Sequence, residues 1–244
     1  MKAKNIGIIF IISLVTLMSC NSKDEYSLGN FRVDIATVKT DGTNNYTIEL
    51  DNGKKLFPAA QGIYYKPKNN QRVFVNYTML SGEYNGYDHL VKVNDIWNIL
   101  TKNVIDLTTE NTDSIGNDPV GINHMWIGNN FLNIDFMFNF GGVKPHAINL
   151  VNNTIDPNTD EEIVELEFRH NSYNSSSNRW VEGLASFDLK PLQKNDADSI
   201  TLSIKVKELD KESTFRLVYK YNNLGAENSS VETPVFVIAS DEYY

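Results

Sequence analysis

Cys20 is the only thiol among 244 residues, so no disulfide can join two parts of one molecule and no second cysteine can act as a nucleophile. Gly-x-Ser-x-Gly, His-Glu-x-x-His and a phosphate-cradling glycine loop are also missing, which removes the common signatures of serine hydrolases, zinc peptidases and nucleotide enzymes. No apolar run reaches the ~20 residues that a helix needs to cross a bilayer. Basic residues are few, 22 Lys and Arg against 31 Asp and Glu, and the net charge of -9 repels phosphate backbones. Nucleic acid is therefore not an expected partner, no cofactor is implied, and the chain reads as a non-enzyme.

What is there begins with a secretory signal. Lys2 and Lys4 precede an apolar stretch from Ile6 to Met18, which is followed at once by Ser19-Cys20 and the polar run Asn21-Ser22-Lys23-Asp24-Glu25. Leu17-Met18-Ser19-Cys20 resembles the lipobox of bacterial lipoproteins, in which the cysteine sulfur takes a diacylglycerol and the peptide is cut before it. Several acyl chains at ~0.8 kcal/mol per buried methylene make such an attachment effectively permanent without a protein span. Cleavage would remove Lys2 and Lys4 from the 22 basic residues, leaving 20 against 31 acidic ones and a charge of -11. Lys23-Asp24-Glu25 is similar to the short acidic export signal that sends lipoproteins of Bacteroidota to the outer leaflet of the outer membrane. A solvated tether would read the same way.

From Asn30 onward the dominant period is two, the mark of strands with one buried face. Phe31, Val33 and Ile35 share a face, as do Tyr46, Ile48 and Leu50, then Val73, Val75, Tyr77 and Met79. Leu132, Ile134, Phe136, Phe138 and Phe140 form the most apolar of these rows. Val164, Leu166 and Phe168 follow, then Ile200 to Val206, then Phe215 to Tyr221. Asp41-Gly42, Asn52-Gly53 and Gly128-Asn129-Asn130 supply the chemistry of tight hairpins. Asp95 to Leu107 alone hints at a helix, with Ile96, Ile99, Leu100, Val104 and Leu107 at three-to-four spacing, though its β-branched content also suits a strand pair. The polar stretch from Thr108 to Pro119 has no periodicity and serves as the candidate linker. About five strands before it suffice for a small closed barrel, and about seven after it for a sandwich, so the fold class is all-β.

The order of pieces resembles the NigD-like lipoproteins of Bacteroidota. The resemblance is carried by Gly29-Asn30-Phe31-Arg32-Val33-Asp34-Ile35-Ala36-Thr37-Val38, Arg72-Val73-Phe74-Val75-Asn76-Tyr77, Ile99-Leu100-Thr101-Lys102, Asp118-Pro119-Val120 and Lys144-Pro145-His146-Ala147-Ile148-Asn149-Leu150-Val151. It implies a small OB-like β-barrel followed by an antiparallel β-sandwich. The expected plan is a signal peptide over 1–19, a tether over 20–29, the OB-like domain over 30–107, a linker over 108–117, the sandwich over 118–225 and a tail over 226–244. The family's name comes from a member proposed as a bacteriocin immunity protein.

Other candidates are thinner. Of four histidines, His124, His146 and His170 fall on the apolar side of their strands beside Ile122, Ile148 and Phe168, while His89 does not. Three imidazoles can hold zinc, but the spacing matches no ligand pattern, and strand-end histidines are the plainer reading, so no metal is expected. Asp156 to Glu162 has alternating oxygen ligands like a calcium loop, with Glu161 where the turn glycine belongs. Tyr64, Tyr65, Tyr84, Tyr87 and Trp180 lie in or near loops, where rings can stack on sugars; Tyr87 and Trp180 are the candidate glycan contacts. Asp113-Ser114-Ile115 and Asp198-Ser199-Ile200 are similar to the O-glycosylation motif of exported Bacteroidota proteins, which makes Ser114 and Ser199 candidate acceptors. The expectation is a lipid-anchored outer-membrane protein at the cell surface that binds an unidentified protein, or alternatively a glycan.

Overall fold

A computed structural model describes residues 26–142, 144–155, 163–175, 177, 179–221 and 243–244. Five strands close into a barrel in the order β1-β2-β3-β5-β4: β1 (Phe31–Lys39), β2 (Thr47–Leu50), β3 (Lys55–Gln61), β4 (Arg72–Ser81) and β5 (His89–Asn98). Its interior is filled by the expected rows Ile48 and Leu50, and Val73, Val75, Tyr77 and Met79, with Leu56, Val91 and Val93 opposite. On β1 the buried row is Ala36 and Val38, not the face of Phe31, Val33 and Ile35. The narrow barrel takes the smaller side chains inward; Ile35 turns out toward the second domain, and Phe31 is left exposed.

The second domain packs two sheets face to face. One holds β14 (Glu212–Lys220), β13 (Ser199–Lys207), β11 (Ile163–Asn171), β10 (Ala147–Asn153) and β7 (Ile105–Leu107) in that order. The other holds β6 (Leu100–Asn103), β12 (Trp180–Asp188), β9 (Phe131–Asn139) and β8 (Gly121–Gly128). The β9 row Leu132, Ile134, Phe136 and Phe138 meets Leu150, Leu166, Phe168, Leu202 and Ile204 in the core. Three pairings, β7–β10, β11–β13 and β6–β12, are parallel.

Residues 95–107 are strand throughout, in three pieces. Their helix-like spacing arises because the chain crosses between cores: Ile96 faces the barrel interior, Ile99 the junction, and Leu100 and Val104 the sandwich. The domain break therefore falls near Asn98–Leu100, and residues 100–107, expected in the first domain, belong to the second. Nor is 108–117 a linker between domains. It contains α1 (Thr112–Ile115), and Ile115 packs with Leu107 and Val151 against the sandwich.

The tail, expected to begin at 226, also returns to the sandwich. Its residues up to 242, with the apolar run 231–238, lie outside the described residues, as do Cys20 and the 156–162 loop. Tyr243 is buried against Phe136 and Phe138, with its hydroxyl donating to the Leu184 carbonyl at 3.1 Å and accepting from the Leu184 N–H at 3.0 Å. Tyr243 and Tyr244 pair with β10 at His146 and Ile148, beside the part of β10 that short β7 leaves uncovered. Gly183 makes room, since a Cβ there would lie 2.7 Å from the Phe136 ring and 3.0 Å from Tyr243.

Candidate functional site

The barrel rests on the outer face of the four-stranded sheet through an apolar patch, Phe74 and Ile99 against Leu184, with Ile35, Trp97 and Trp126 around it. Beside that patch a buried polar knot joins the domains. Arg72 opens β4 and is fully buried, with its guanidinium forked onto the Asp51 carboxylate at 2.5 and 2.8 Å. It also donates to Thr37 Oγ1 at 3.0 Å and to Asn133 Oδ1 at 3.2 Å, and lies over the Phe131 ring at 5.0 Å. Asn133 Oδ1 accepts from the Ser186 hydroxyl at 2.6 Å as well. The planar guanidinium suits this place because its fixed fork satisfies one carboxylate and two neutral acceptors together.

The β8–β9 turn brings the sandwich to the knot. Asn129 and Asn130 both take positive φ, 44° and 66°, as a two-residue hairpin requires. Asn129 Nδ2 donates to Thr37 Oγ1 at 3.3 Å, and Gly128 allows the close approach, because a Cβ there would sit 2.1 Å from Asp51 Oδ2. Asn130 Oδ1 accepts from the Tyr219 hydroxyl at 2.8 Å; burial pushes that hydroxyl up to about 12, so it stays a donor at neutral pH.

A cleft of about 370 Å³ opens over the knot, lined among others by Asp51, Trp126, Asn130, Arg216, Val218 and Lys220. It lies between β8 and β14, the edge strands of the two sheets, and among the described residues neither has a second neighbour. The cleft offers an indole, amide dipoles and two cations, but no nucleophile with an adjacent base and no convergent carboxylates; the one carboxylate, Asp51, is already held by Arg72. Such a lining can bind, and strand edges beside it can accept a further strand.

Residues 35–99 match the NigD-like N-terminal OB domain, and residues 103–219 the NigD-like C-terminal β-sandwich domain. The chain belongs to the NigD-like family. A toxin-related protein from Parabacteroides distasonis is 36% identical with a TM-score of 0.70, the match covering 80% of this chain and 96% of that one. A protein of unknown function from Bacteroides vulgatus is 30% identical with a TM-score of 0.69, over 81% and 94%. A NigD-like immunity protein from Bacteroides caccae shares the fold at 20% identity and a TM-score of 0.61, over 78% and 96%. No curated protein matches the chain.

The candidates named from sequence lie apart on this NigD-like scaffold. Trp180 opens β12 opposite Asn139, about half exposed, at the end of the sheet away from the barrel. Tyr87 is in the barrel, half buried, with its ring 5.2 Å from Phe57. They do not form one binding site. Ser114 is exposed on α1, donating to the Asn111 carbonyl at 2.9 Å, and Ser199 is exposed at the start of β13.

His124 is exposed, contrary to expectation, because a bulge between Ile122 and His124 turns it off the apolar side. His146 and His170 are buried and touch, Nδ1 to Nε2, at 2.8 Å, and His170 Nδ1 lies 3.3 Å from the Pro119 carbonyl. Burial first, then the neighbouring His146, pushes His170 down to about 4, so it is neutral at pH 7. Among the described residues no three His, Asp or Glu side chains are placed to hold a metal ion. The Arg72 knot was missed from sequence, because a charged residue opening an apolar strand looks like a solvated end.

Proposed function

We propose that this NigD-like protein is a lipid-anchored, non-enzymatic lipoprotein of the outer membrane, facing the cell surface, that acts by binding another protein in the manner of bacteriocin immunity. The observation that carries this reading is the pair of edge strands, β8 and β14, flanking the junction cleft. Edges with unpaired backbone groups take up a partner's strand through main-chain hydrogen bonds, and a cleft alongside gives side-chain selectivity. The name of the Bacteroides caccae relative supports the immunity version, and the lipobox-like Leu17-Met18-Ser19-Cys20 supports the anchor. Expression in a sensitive relative should protect it from the cognate toxin. Unchanged killing with the protein displayed on the cells would overturn the immunity version.

Glycan binding is the second reading, favoured by the half-exposed indole of Trp180. A glycan array probed with the mature chain should then give hits that Trp180→Ala removes, and a blank array would end it.

A further inference from the structure

We infer that the barrel end opposite the sandwich lies on the lipid bilayer and holds the molecule upright, with the junction cleft and the sandwich pointing away from the membrane. This rests on Cys20 being the lipid anchor. The described chain begins at Tyr26, six residues after Cys20, a reach of about 20 Å fully extended. Right there the surface is apolar: Leu28 is 74% exposed and Phe31 62%, with Tyr26 about half exposed. Single exposed apolar residues are ordinary, but these share one end of the barrel with further aromatics.

The strand registers place them. Phe31 opens β1 opposite Thr78, near the end of β4. The β4–β5 hairpin that follows turns through Asn85-Gly86, both at positive φ, and holds Tyr84 and Tyr87 in backbone contact. Those two rings flank Phe57 at 6.4 and 5.2 Å, and the Tyr26 hydroxyl comes up to Gly82 on the same hairpin. Leu28, Phe31, Tyr26, Tyr84 and Tyr87 thus ring the end from which the chain leads back to Cys20. The other end of the same strands, at Arg72 and Phe74, is where the sandwich packs. Phe74 to Ser81 spans about 23 Å of β4.

The charge at this end fits the same surface. Arg32, Lys54 and Lys55 are balanced by Asp34, Glu83 and Asp88, and the Asp88 carboxylate accepts from the Lys55 backbone N–H at 2.8 Å. An acidic protein therefore presents a locally neutral, aromatic-rimmed apolar end, the composition that sits in the headgroup layer. The occupant is the lipid bilayer that holds the anchor, entered at its headgroup–acyl boundary; neither an anionic lipid nor a basic patch is needed.

The test uses the mature chain, residues 20–244, coupled through its one thiol at Cys20 to a maleimide-headgroup lipid in phosphatidylcholine vesicles with brominated acyl chains. Coupling makes the outcome independent of natural acylation, which is read separately as lipid label on wild-type against Cys20→Ser in cells. Leu28→Trp and Tyr84→Trp should each add fluorescence that bromolipid quenches at least twofold, while Leu209→Trp, at an exposed turn of the sandwich, should add fluorescence that is unquenched. Circular dichroism and the emission of Trp97, Trp126 and Trp180 in plain vesicles check that each variant is folded. Equal exposure of all three positions to bromolipid, or none, overturns the orientation. So does a blue shift at Leu28→Trp without quenching, which would mean that a second copy covers this end.

Discussion

The barrel and the sandwich face the same difficulty, unpaired strand edges, and treat it in opposite ways. The barrel closes its five strands on themselves, which leaves no edge and seals a single core. Among the described residues the sandwich has four edges. On one side short β6 and β7 cover the half nearest the barrel, while Tyr243 and Tyr244 fill part of the far half beside β10. On the other side, beside the cleft, β8 and β14 have no second neighbour among the described residues. A closed barrel is a firm mount, and an incompletely edged sandwich is where another chain can join. Between them, Arg72 belongs to the barrel by sequence and to the junction by its bonds.

The most damaging way to break this division is to remove the knot. Arg72→Met should cost about 3–5 kcal/mol in urea unfolding, because it strands Asp51 against Gly128 and leaves Asn133 and Thr37 short of a donor. The double variant Arg72→Met with Asp51→Leu should recover part of that loss. A single variant as stable as wild type would mean that the domains do not depend on the knot.

Acid tests the sandwich alone. His170 is neutral in the fold with its pKa lowered to about 4, against 6.5 for a free imidazole, so the unfolded chain binds more protons between those values. Its contribution is full above pH 6.5, falls as the pH drops toward 4, and amounts to about 3 kcal/mol. Wild type minus His170→Gln, followed across pH 7 to 4, should show this slope; parallel curves would refute it.

Tyr243→Phe sharpens the view of the filled edge. It keeps the ring among Phe136 and Phe138 but drops both Leu184 hydrogen bonds, at a cost of about 1–2 kcal/mol. The barrel should not notice. The smallest stability effect is expected on the open edge, where Val218→Lys, at a 58% exposed position, should change stability by less than about 0.5 kcal/mol yet abolish partner binding. Intact binding with the lysine in place would move the partner off β14.

Much of this architecture was legible along the chain because period-two rows record which face of a strand is dry. The rows on β4, β9 and β13 are the cores of the two domains. Legibility failed where one stretch serves two cores, as at 95–107, and where a bulge shifts the phase, as at His124. It failed again on β1, whose larger apolar side chains are the ones left outside the barrel. Of the site, the Asn129-Asn130 turn was visible as a hairpin, but nothing local marked it as lining a cleft.

The all-β class, the turns and the lipobox-like motif can be read along the chain, since each depends on residues a few positions apart. Other features exist only once distant residues meet in the fold: Arg72 with Asp51 and Asn133, β8 with β14 across the cleft, and Tyr243 between the sheets. A local pattern can say that a side chain will be buried, but its partner is chosen by which strands the fold lays side by side.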